Sequence, residues 1–432
     1  MKQFRFETLI LDTIAGGGQA LGRLASGQKA FVWGGLPGEK VVIQVTKKKS
    51  HFVEGSVTEV ITPSPDRIAP TDPASYLSTS PWQIMAFAAE QRHKAALIDQ
   101  AFQLHHTTLP KPTTVFTDNK QLGYRNKIEF SWWWDTDKNH VDLAFFRRGT
   151  HGKIPVEGTS LALPAINRAA LAVRNVLRQR AAPAFDLKTV IIRCDQAGNV
   201  SLQLYTKTPS FAPFTKSELQ LLDTQGFELI YSDPKSPASV ITRRLQTVGT
   251  PPLTDTILGV PFTYVPEGFF QINLPVYEQA LRDMRSWVLT DRPTVDLYSG
   301  VGSIGLTIGT NPVTMVESNE AAVREMTRTI HALGRHASAT AVLATSENAL
   351  DYITSNATLI VDPPRAGLHH AVIDQLLAKK PARIIYLSCN PVTQARDIAQ
   401  LLHQYHISWH QGYNFFPRTP HIEHAIALER RP

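Results

Sequence analysis

Two short runs in the last quarter of the chain carry residues able to do covalent chemistry. Ile384-Ile385-Tyr386-Leu387-Ser388-Cys389-Asn390-Pro391 ends an apolar run with a cysteine. A thiolate is a nucleophile, and a cysteine that follows a buried strand and precedes Asn-Pro stands at an edge where ligands bind rather than within a core. Cys194, in Ile191-Ile192-Arg193-Cys194, lies mid-strand with nothing reactive beside it and reads as a small buried hydrophobe. The second run, Ile360-Val361-Asp362-Pro363-Pro364-Arg365-Ala366-Gly367, ends with an acid, two prolines and an arginine. Prolines remove backbone donors and stiffen a loop, so Asp362 and Arg365 can be held in place.

A third run suggests a cofactor. Val295-Asp296-Leu297-Tyr298-Ser299-Gly300-Val301-Gly302-Ser303-Ile304-Gly305 reads as a strand entering a Gly-rich turn and then a helix. Glycines let a ligand approach the backbone and its free amides. Gly300, Gly302 and Gly305 fit the dinucleotide pattern G-x-G-x-x-G, which is a weak signal by itself. Two acids argue against a nicotinamide dinucleotide: Asp296 inside the strand would face a pyrophosphate, and Glu317 ends the next strand too early for the usual ribose acid. A cationic, phosphate-free nucleoside such as S-adenosylmethionine suits both acids better, with Glu317 accepting from the two ribose hydroxyls. The plainer alternative makes both acids helix caps.

The elements that must position these residues follow from periodicity. From about 260 onward, strands at Thr294–Tyr298, Val313–Glu317, Thr340–Leu343, Thr358–Asp362 and Arg383–Ser388 alternate with helical stretches. That pattern predicts an α/β, Rossmann-like doubly wound sheet over 259–432, whose ligand site lies at the carboxyl ends of the strands. Residues 1–62 read as a small β-barrel, with short β-branched runs between Gly-rich turns and Lys47-Lys48-Lys49 in a loop. Residues 63–258 read as an α+β middle unit: a helix over 83–106, paired strands at Tyr124–Trp134 and Val141–Arg147, a helix over Ala165–Arg180, and a hairpin at 190–205. The chain has 432 residues, ordinary hydrophobic content of 43% and a net charge of +7, which suits a polyanionic partner as well as simple solubility. Two distant cysteines exclude a disulfide framework and a four-thiolate metal site. No signal-peptide core begins the chain and no run is long enough to span a bilayer, so a cytoplasmic protein with no membrane partner is expected.

The run from Asp362 through Arg365 and Gly367 to Ser388-Cys389-Asn390-Pro391 and Thr393 resembles the signature of the TrmA/RumA family of RNA uracil-C5 methyltransferases. So do Phe415-Phe416-Pro417-Arg418-Thr419-Pro420-His421-Ile422-Glu423 and Phe269-Phe270-Gln271-Ile272-Asn273. The N-terminal unit resembles the TRAM domain, an RNA-binding barrel, through Gly18 to Gly22, Gly35-Leu36-Pro37-Gly38-Glu39 and Pro63-Ser64-Pro65. The resemblance implies that Cys389 adds to uracil C6 and that Glu423 removes the C5 proton after methylation. It implies that Gln271, Tyr298, Gly300, Ser303, Glu317 and Asp362 bind S-adenosylmethionine, and that Arg365 orders the loop or the substrate. The implied partner is RNA, rRNA first and tRNA second, acted on by a monomer.

Departures from the family pattern carry their own expectations. Many relatives hold a [4Fe–4S] cluster on four cysteines ahead of the stretch matching Gln91-Arg92-His93-Lys94. Here Ser78-Thr79-Ser80-Pro81 stands there, so no iron–sulfur cluster and no metal are expected. RNA would then be positioned otherwise, for instance by Trp132-Trp133-Trp134 or Arg147-Arg148, although a packed strand is the better reading of the tryptophans. Asn414 and Arg418 replace residues usual in the C-terminal motif, which bears on substrate fit. Two other readings stand behind it: a non-catalytic RNA-binding factor with a retired methyltransferase domain, against which the persistence of Cys389, Glu423, Asp362 and the Gly-rich turn argues, and a dinucleotide oxidoreductase, which rests on the glycine pattern alone and fails at Asp296.

Overall fold

Five strands, Arg5–Ile14, Ala20–Arg23, Lys29–Trp33, Lys40–Lys48 and Phe52–Thr62, close into a barrel in the order first, second, third, fifth, fourth. In this computed structural model, which describes residues 5–432, alternate residues such as Leu9, Leu11, Val32, Val41, Ile43 and Val53 fill the interior, as a period of two requires. Residues 1–4 of the N-terminal segment discussed above lie outside the described residues. The lysine run is not a loop: Lys47 pairs with Glu54 and Lys48 with Val53, and Lys49 alone falls in the connection. Cross-strand pairing extends the strand because Lys47 Nζ meets Glu54 Oε1 at 2.8 Å. The Gly35–Glu39 segment is explained by Glu39, whose buried carboxylate accepts from the amides of Leu36 and Ser64 and from Arg67.

A seven-stranded sheet follows, ordered Arg243–Gly249, Gly226–Tyr231, Val200–Thr206, Leu187–Cys194, Lys127–Asp135, His140–Phe146, Lys153–Pro155. Helix Pro164–Gln179 lays Ile166, Ala170, Val173 and Leu177 on it, the i, i+4, i+7, i+11 stripe of an amphipathic helix. Trp132 is buried and Trp134 packs on this core, while Trp133 faces outward. Cys194 is buried among the same apolar residues.

The third sheet has eight strands: Ala339–Leu343, Val313–Glu317, Thr294–Leu297, Thr358–Val361, Arg383–Ser388, Glu423–Arg430, Tyr405–Tyr413 and Val115–Phe116. The first five are parallel; Glu423–Arg430 enters antiparallel between Arg383–Ser388 and Tyr405–Tyr413. This is the α/β doubly wound architecture that the alternation predicts. Two pieces from ahead of the middle sheet join it. Helix Phe87–Gln103 packs Ile98, Ala101 and Phe102 against Ile398, Leu401 and Ile426, and Val115–Phe116 extends the sheet edge. This helix is shorter than the expected 83–106. Trp82 to Met85 are buried in turns, where the Trp82 indole donates to Gly18 O at 2.9 Å and ties the barrel on. Among the described residues no helix is long and apolar enough to cross a membrane.

Candidate active site

A cavity of about 830 Å³ lies where the strands ending at Leu297, Glu317, Val361 and Ser388 release their chains. Gln271, Tyr298, Gly300, Ser303, Glu317, Asp362, Arg365, Cys389 and Glu423 all line it. Parallel strands leave these loops on one edge, so residues spread over about 150 positions of sequence converge there.

On one side is the Gly-rich turn. Tyr298 and Gly300 both take positive φ, 62° and 56°, which turns the chain sharply out of the strand. The Gly300 amide donates to Glu317 Oε2 at 3.0 Å, while Glu317 Oε1 accepts from Asn319 N at 2.7 Å. Glu317 is thereby fixed at its strand end with its carboxylate on the cavity. A Cβ added to Gly300 would meet nothing within 4 Å, so the backbone here faces open space that a ligand can fill. Ser303 Oγ and Tyr277 Oη are 2.7 Å apart, and Ser346 Oγ donates to Tyr298 Oη at 2.7 Å. Asp296 is a correction. It does not line the cavity; it is fully buried beneath the turn, where Oδ2 accepts from Gly305 N at 2.9 Å. Burial pushes its carboxyl up to about 8. Strand alternation points it behind the turn, so it braces the start of the helix Ser303–Ile308 and does not face a cofactor.

On the other side is the thiol. Ser388, the last residue of its strand, pairs with His424 across the antiparallel strands, so Cys389 follows and Glu423 precedes that pair, and the Glu423 charge acts on the thiol. Asn390 caps the helix beginning at Pro391, its side chain accepting from Val392 N at 3.2 Å, which stops the strand at the cysteine. The same Asn390 donates from Nδ2 to Arg365 O at 2.9 Å, and Thr393 Oγ1 donates to that carbonyl at 3.1 Å. The Leu368 amide donates to buried Asp397 at 2.8 Å. The Asp362–Leu368 loop is therefore pinned onto the cysteine turn, and Arg365 Nη2 reaches His421 Nδ1 at 3.0 Å.

Charge is suppressed in this half of the cavity. Burial, then Glu423 and Asp362, push the half-buried Cys389 thiol up to about 11, against a smaller opposing pull from Arg365. Burial lifts Asp362 to about 7. Glu423 is driven well above the carboxylate range by burial and by Asp362. All three are held towards their neutral forms, chiefly by burial, and Arg365 offsets this only in part. A cationic ligand would relieve all three, and a sulfonium nucleoside fits this donor set on those grounds.

The loop carrying Phe269 and Gln271 is held from the middle sheet, by residues that sequence reasoning missed. Arg193, fully buried, donates to Gly268 O and Phe270 O, both at 3.0 Å, and its guanidinium lies 4.7 Å from the Tyr264 ring centre. Asn126 Nδ2 donates to Gln271 O at 2.9 Å. A charged side chain inside an apolar strand run was the available signal. His421, which the sequence shows only as one member of the Phe415–Glu423 run, also lines the cavity.

The departures from the family pattern resolve structurally. Asn414 and Arg418 do not line the cavity; both are buried with Glu90 and Lys94. Asn414 Nδ2 donates to Glu90 Oε1 at 2.8 Å and Lys94 Nζ donates to Asn414 Oδ1 at 2.5 Å. Arg418 donates to Met85 O at 2.6 Å. They clamp the loop ahead of His421 and Glu423 to the helix Phe87–Gln103, so the concern about substrate fit gives way to a loop-anchoring role. Ser78 Oγ accepts from Arg148 N at 3.2 Å and Ser80 Oγ from Gln83 at 2.7 Å, and Arg148 stacks 4.2 Å from the Trp33 ring centre. Among the described residues no group of three or more His, Cys, Asp or Glu is arranged to hold a metal.

Residues 339–431 match the tRNA (uracil-5-)-methyltransferase family and residues 8–58 match the TRAM domain. An uncharacterized RNA methyltransferase of Enterococcus faecalis is 28% identical over 423 residues, covering 93% of this chain and 92% of its own. Another, from Thermosynechococcus vestitus, is 28% identical over 443 residues, covering 97% of each chain. The crystal structure of Pyrococcus abyssi tRNA (uracil-54, C5)-methyltransferase in complex with S-adenosyl-L-homocysteine aligns with a TM-score of 0.78 at 21% identity, over 97% of this chain and 99% of that one. With a TRAM domain at its N-terminal end, a tRNA (uracil-5-)-methyltransferase family domain over 339–431 and similar RNA methyltransferases over more than nine-tenths of its length, the chain is an S-adenosylmethionine-dependent RNA methyltransferase.

Proposed function

We propose that the protein forms 5-methyluridine in structured RNA, with large-subunit 23S rRNA as the first substrate, and that Cys389 and Glu423 carry the chemistry. The observation that carries this reading is that Cys389 directly follows and Glu423 directly precedes the paired residues Ser388 and His424, both on the cavity that Glu317 and Asp362 line. Uracil C5 is a poor nucleophile. Addition of the Cys389 thiolate to C6 moves the C5–C6 π electrons onto C5 and O4 and makes C5 reactive. When bound, S-adenosylmethionine supplies the methyl group. Glu423 then takes the C5 proton, the C5–C6 double bond re-forms and Cys389 leaves as thiolate. Glu317, Tyr298, Gln271, the Gly300 backbone, Ser303 and Asp362 hold the cofactor, and Arg365 orders the loop against the cysteine turn. A thiol kept protonated in the resting protein is shielded from stray oxidation and is released for attack when positive charge enters the cavity.

The barrel and the middle sheet would grip the RNA. Trp82 N donates to Arg418 O at 3.1 Å and its indole bonds Gly18, so the barrel abuts the loop that leads to His421 and Glu423. RNA lying on the barrel would thus reach the cavity directly. A tRNA substrate is the second reading, favoured by the solved neighbour that acts on uracil 54 of tRNA. The test is incubation with labelled S-adenosylmethionine and unmodified rRNA or tRNA transcripts, followed by mass spectrometry of the digested nucleosides. 5-Methyluridine in one pool identifies the substrate. Cofactor binding with no transfer to either pool or to ribosomal particles would favour a retired enzyme acting as an RNA-binding factor.

A further inference from the structure

We propose that His421, locked by Arg365 as the neutral Nε2–H tautomer, is a catalytic hydrogen-bond donor to O4 of the target uracil. This rests on the thiolate-addition reading above and adds the group that stabilises its developing charge. Arginine carries donors only, so the 3.0 Å contact from Arg365 Nη2 must be accepted by a lone pair on His421 Nδ1. The ring proton is thereby placed on Nε2. The described residues offer Nε2 no hydrogen-bond partner, while the residue lines the same cavity as Cys389 and Glu423. Phe416 packs edge-on to the ring, centroids 5.8 Å apart, and Thr419 Oγ1 accepts from the His421 amide, so both ring and backbone are held. Burial and Arg365 push the imidazole down to about 4, which keeps it uncharged under ordinary conditions. A neutral imidazole is a suitable electrophile for an oxygen that gains charge during reaction, since it donates without surrendering its proton.

The step balances. The Sγ–C6 bond forms as the C5–C6 π pair moves towards O4, and the Nε2–H hydrogen bond strengthens with that charge. When Glu423 removes the C5 proton and the thiolate departs, the charge leaves O4 and the bond weakens again. The position of Arg365 thereby acquires a second purpose, since it sets which nitrogen of His421 can donate.

The test compares turnover on one RNA carrying uridine or 4-thiouridine at the target position, using the full-length protein. Sulfur is a weaker acceptor than oxygen, so it removes what the donor acts on. For His421→Ala, kcat on uridine should fall by about 100-fold, the usual effect of deleting one such donor. KM for RNA and S-adenosylhomocysteine affinity should hold. On 4-thiouridine the same variant should approach the wild type, because the partner is already lost. His421→Gln, whose amide nitrogen mimics Nε2, should regain part of the rate, whereas His421→Asn should not. An equal loss on both RNAs, or no loss on uridine, overturns the proposal. If wild-type protein forms no Cys389 adduct with RNA bearing 5-fluorouridine, the thiolate reading itself falls and takes this proposal with it; an adduct formed equally fast by His421→Ala overturns the proposal alone.

Discussion

Replacing Arg193 with Met should weaken cofactor binding from a distance, through the Phe269–Gln271 loop. Arg193 makes two charge-assisted hydrogen bonds to Gly268 O and Phe270 O. At about 1.5 kcal/mol net each, they favour the clamped loop by about 3 kcal/mol. That corresponds to roughly 150-fold in the loop equilibrium at 1.36 kcal/mol per tenfold. Methionine keeps much of the volume and removes both donors, so the loop should loosen while the apolar packing against Tyr264 persists. The loss of affinity is nevertheless bounded, because a loose loop can forfeit only the contacts that the loop makes. If Gln271 contributes one hydrogen bond to S-adenosylmethionine, the ceiling is about tenfold. Calorimetric titration with S-adenosylhomocysteine should give about a tenfold weaker Kd for Arg193→Met and for Gln271→Ala. The double variant should be little worse than either single one. Additive losses, or full affinity in Arg193→Met, would refute the argument that the middle sheet positions the cofactor loop.

Three further outcomes follow from the same geometry. Alkylation of Cys389 by iodoacetamide, followed by mass spectrometry, should be slow at neutral pH and rise about tenfold per pH unit towards its raised pKa of about 11, with buried Cys194 unlabelled. Glu423→Gln removes a negative neighbour that disfavours the thiolate, so the profile should move to lower pH; a move upward contradicts the assigned cause. Gly305→Ala should destabilise the protein by about 1–3 kcal/mol in thermal unfolding, because its Cβ would lie 2.7 Å from Met315 Cγ in a packed core. Glu90→Gln should lower stability and turnover together while leaving S-adenosylhomocysteine affinity intact, because it unpairs buried Lys94 and frees the loop ahead of Glu423; weakened cofactor binding would point to a different role.

Much of the site is legible in the linear chain because it is local. A strand, an acid and two prolines, or a strand, a cysteine and Asn-Pro, each form a continuous stretch whose residue types already state their chemistry. The α/β alternation then places every strand end on one edge, which suffices to gather Glu317, Asp362 and Cys389. Asp296 shows the limit of that reasoning. Its strand is evident, but only the twist and packing of the turn decide that its carboxyl faces Gly305 N rather than a ligand.

Tertiary structure decided everything that depends on pairing between distant segments. Cys389 and Glu423 meet because the last strand enters antiparallel beside the cysteine strand, and a slip of one residue would turn Glu423 to the other face. The tautomer of His421 depends on an arginine 56 residues away. Arg193 acts on a loop 75 residues downstream, and the Asn414 and Arg418 departures make sense only beside Glu90, more than 300 residues earlier. Sequence alone named the candidate groups and the edge on which they stand, because those follow from residue type and hydrophobic period. Their charge states, their tautomers and the residues that hold them depend on burial and on contacts between segments remote in the chain, which exist only in the folded protein.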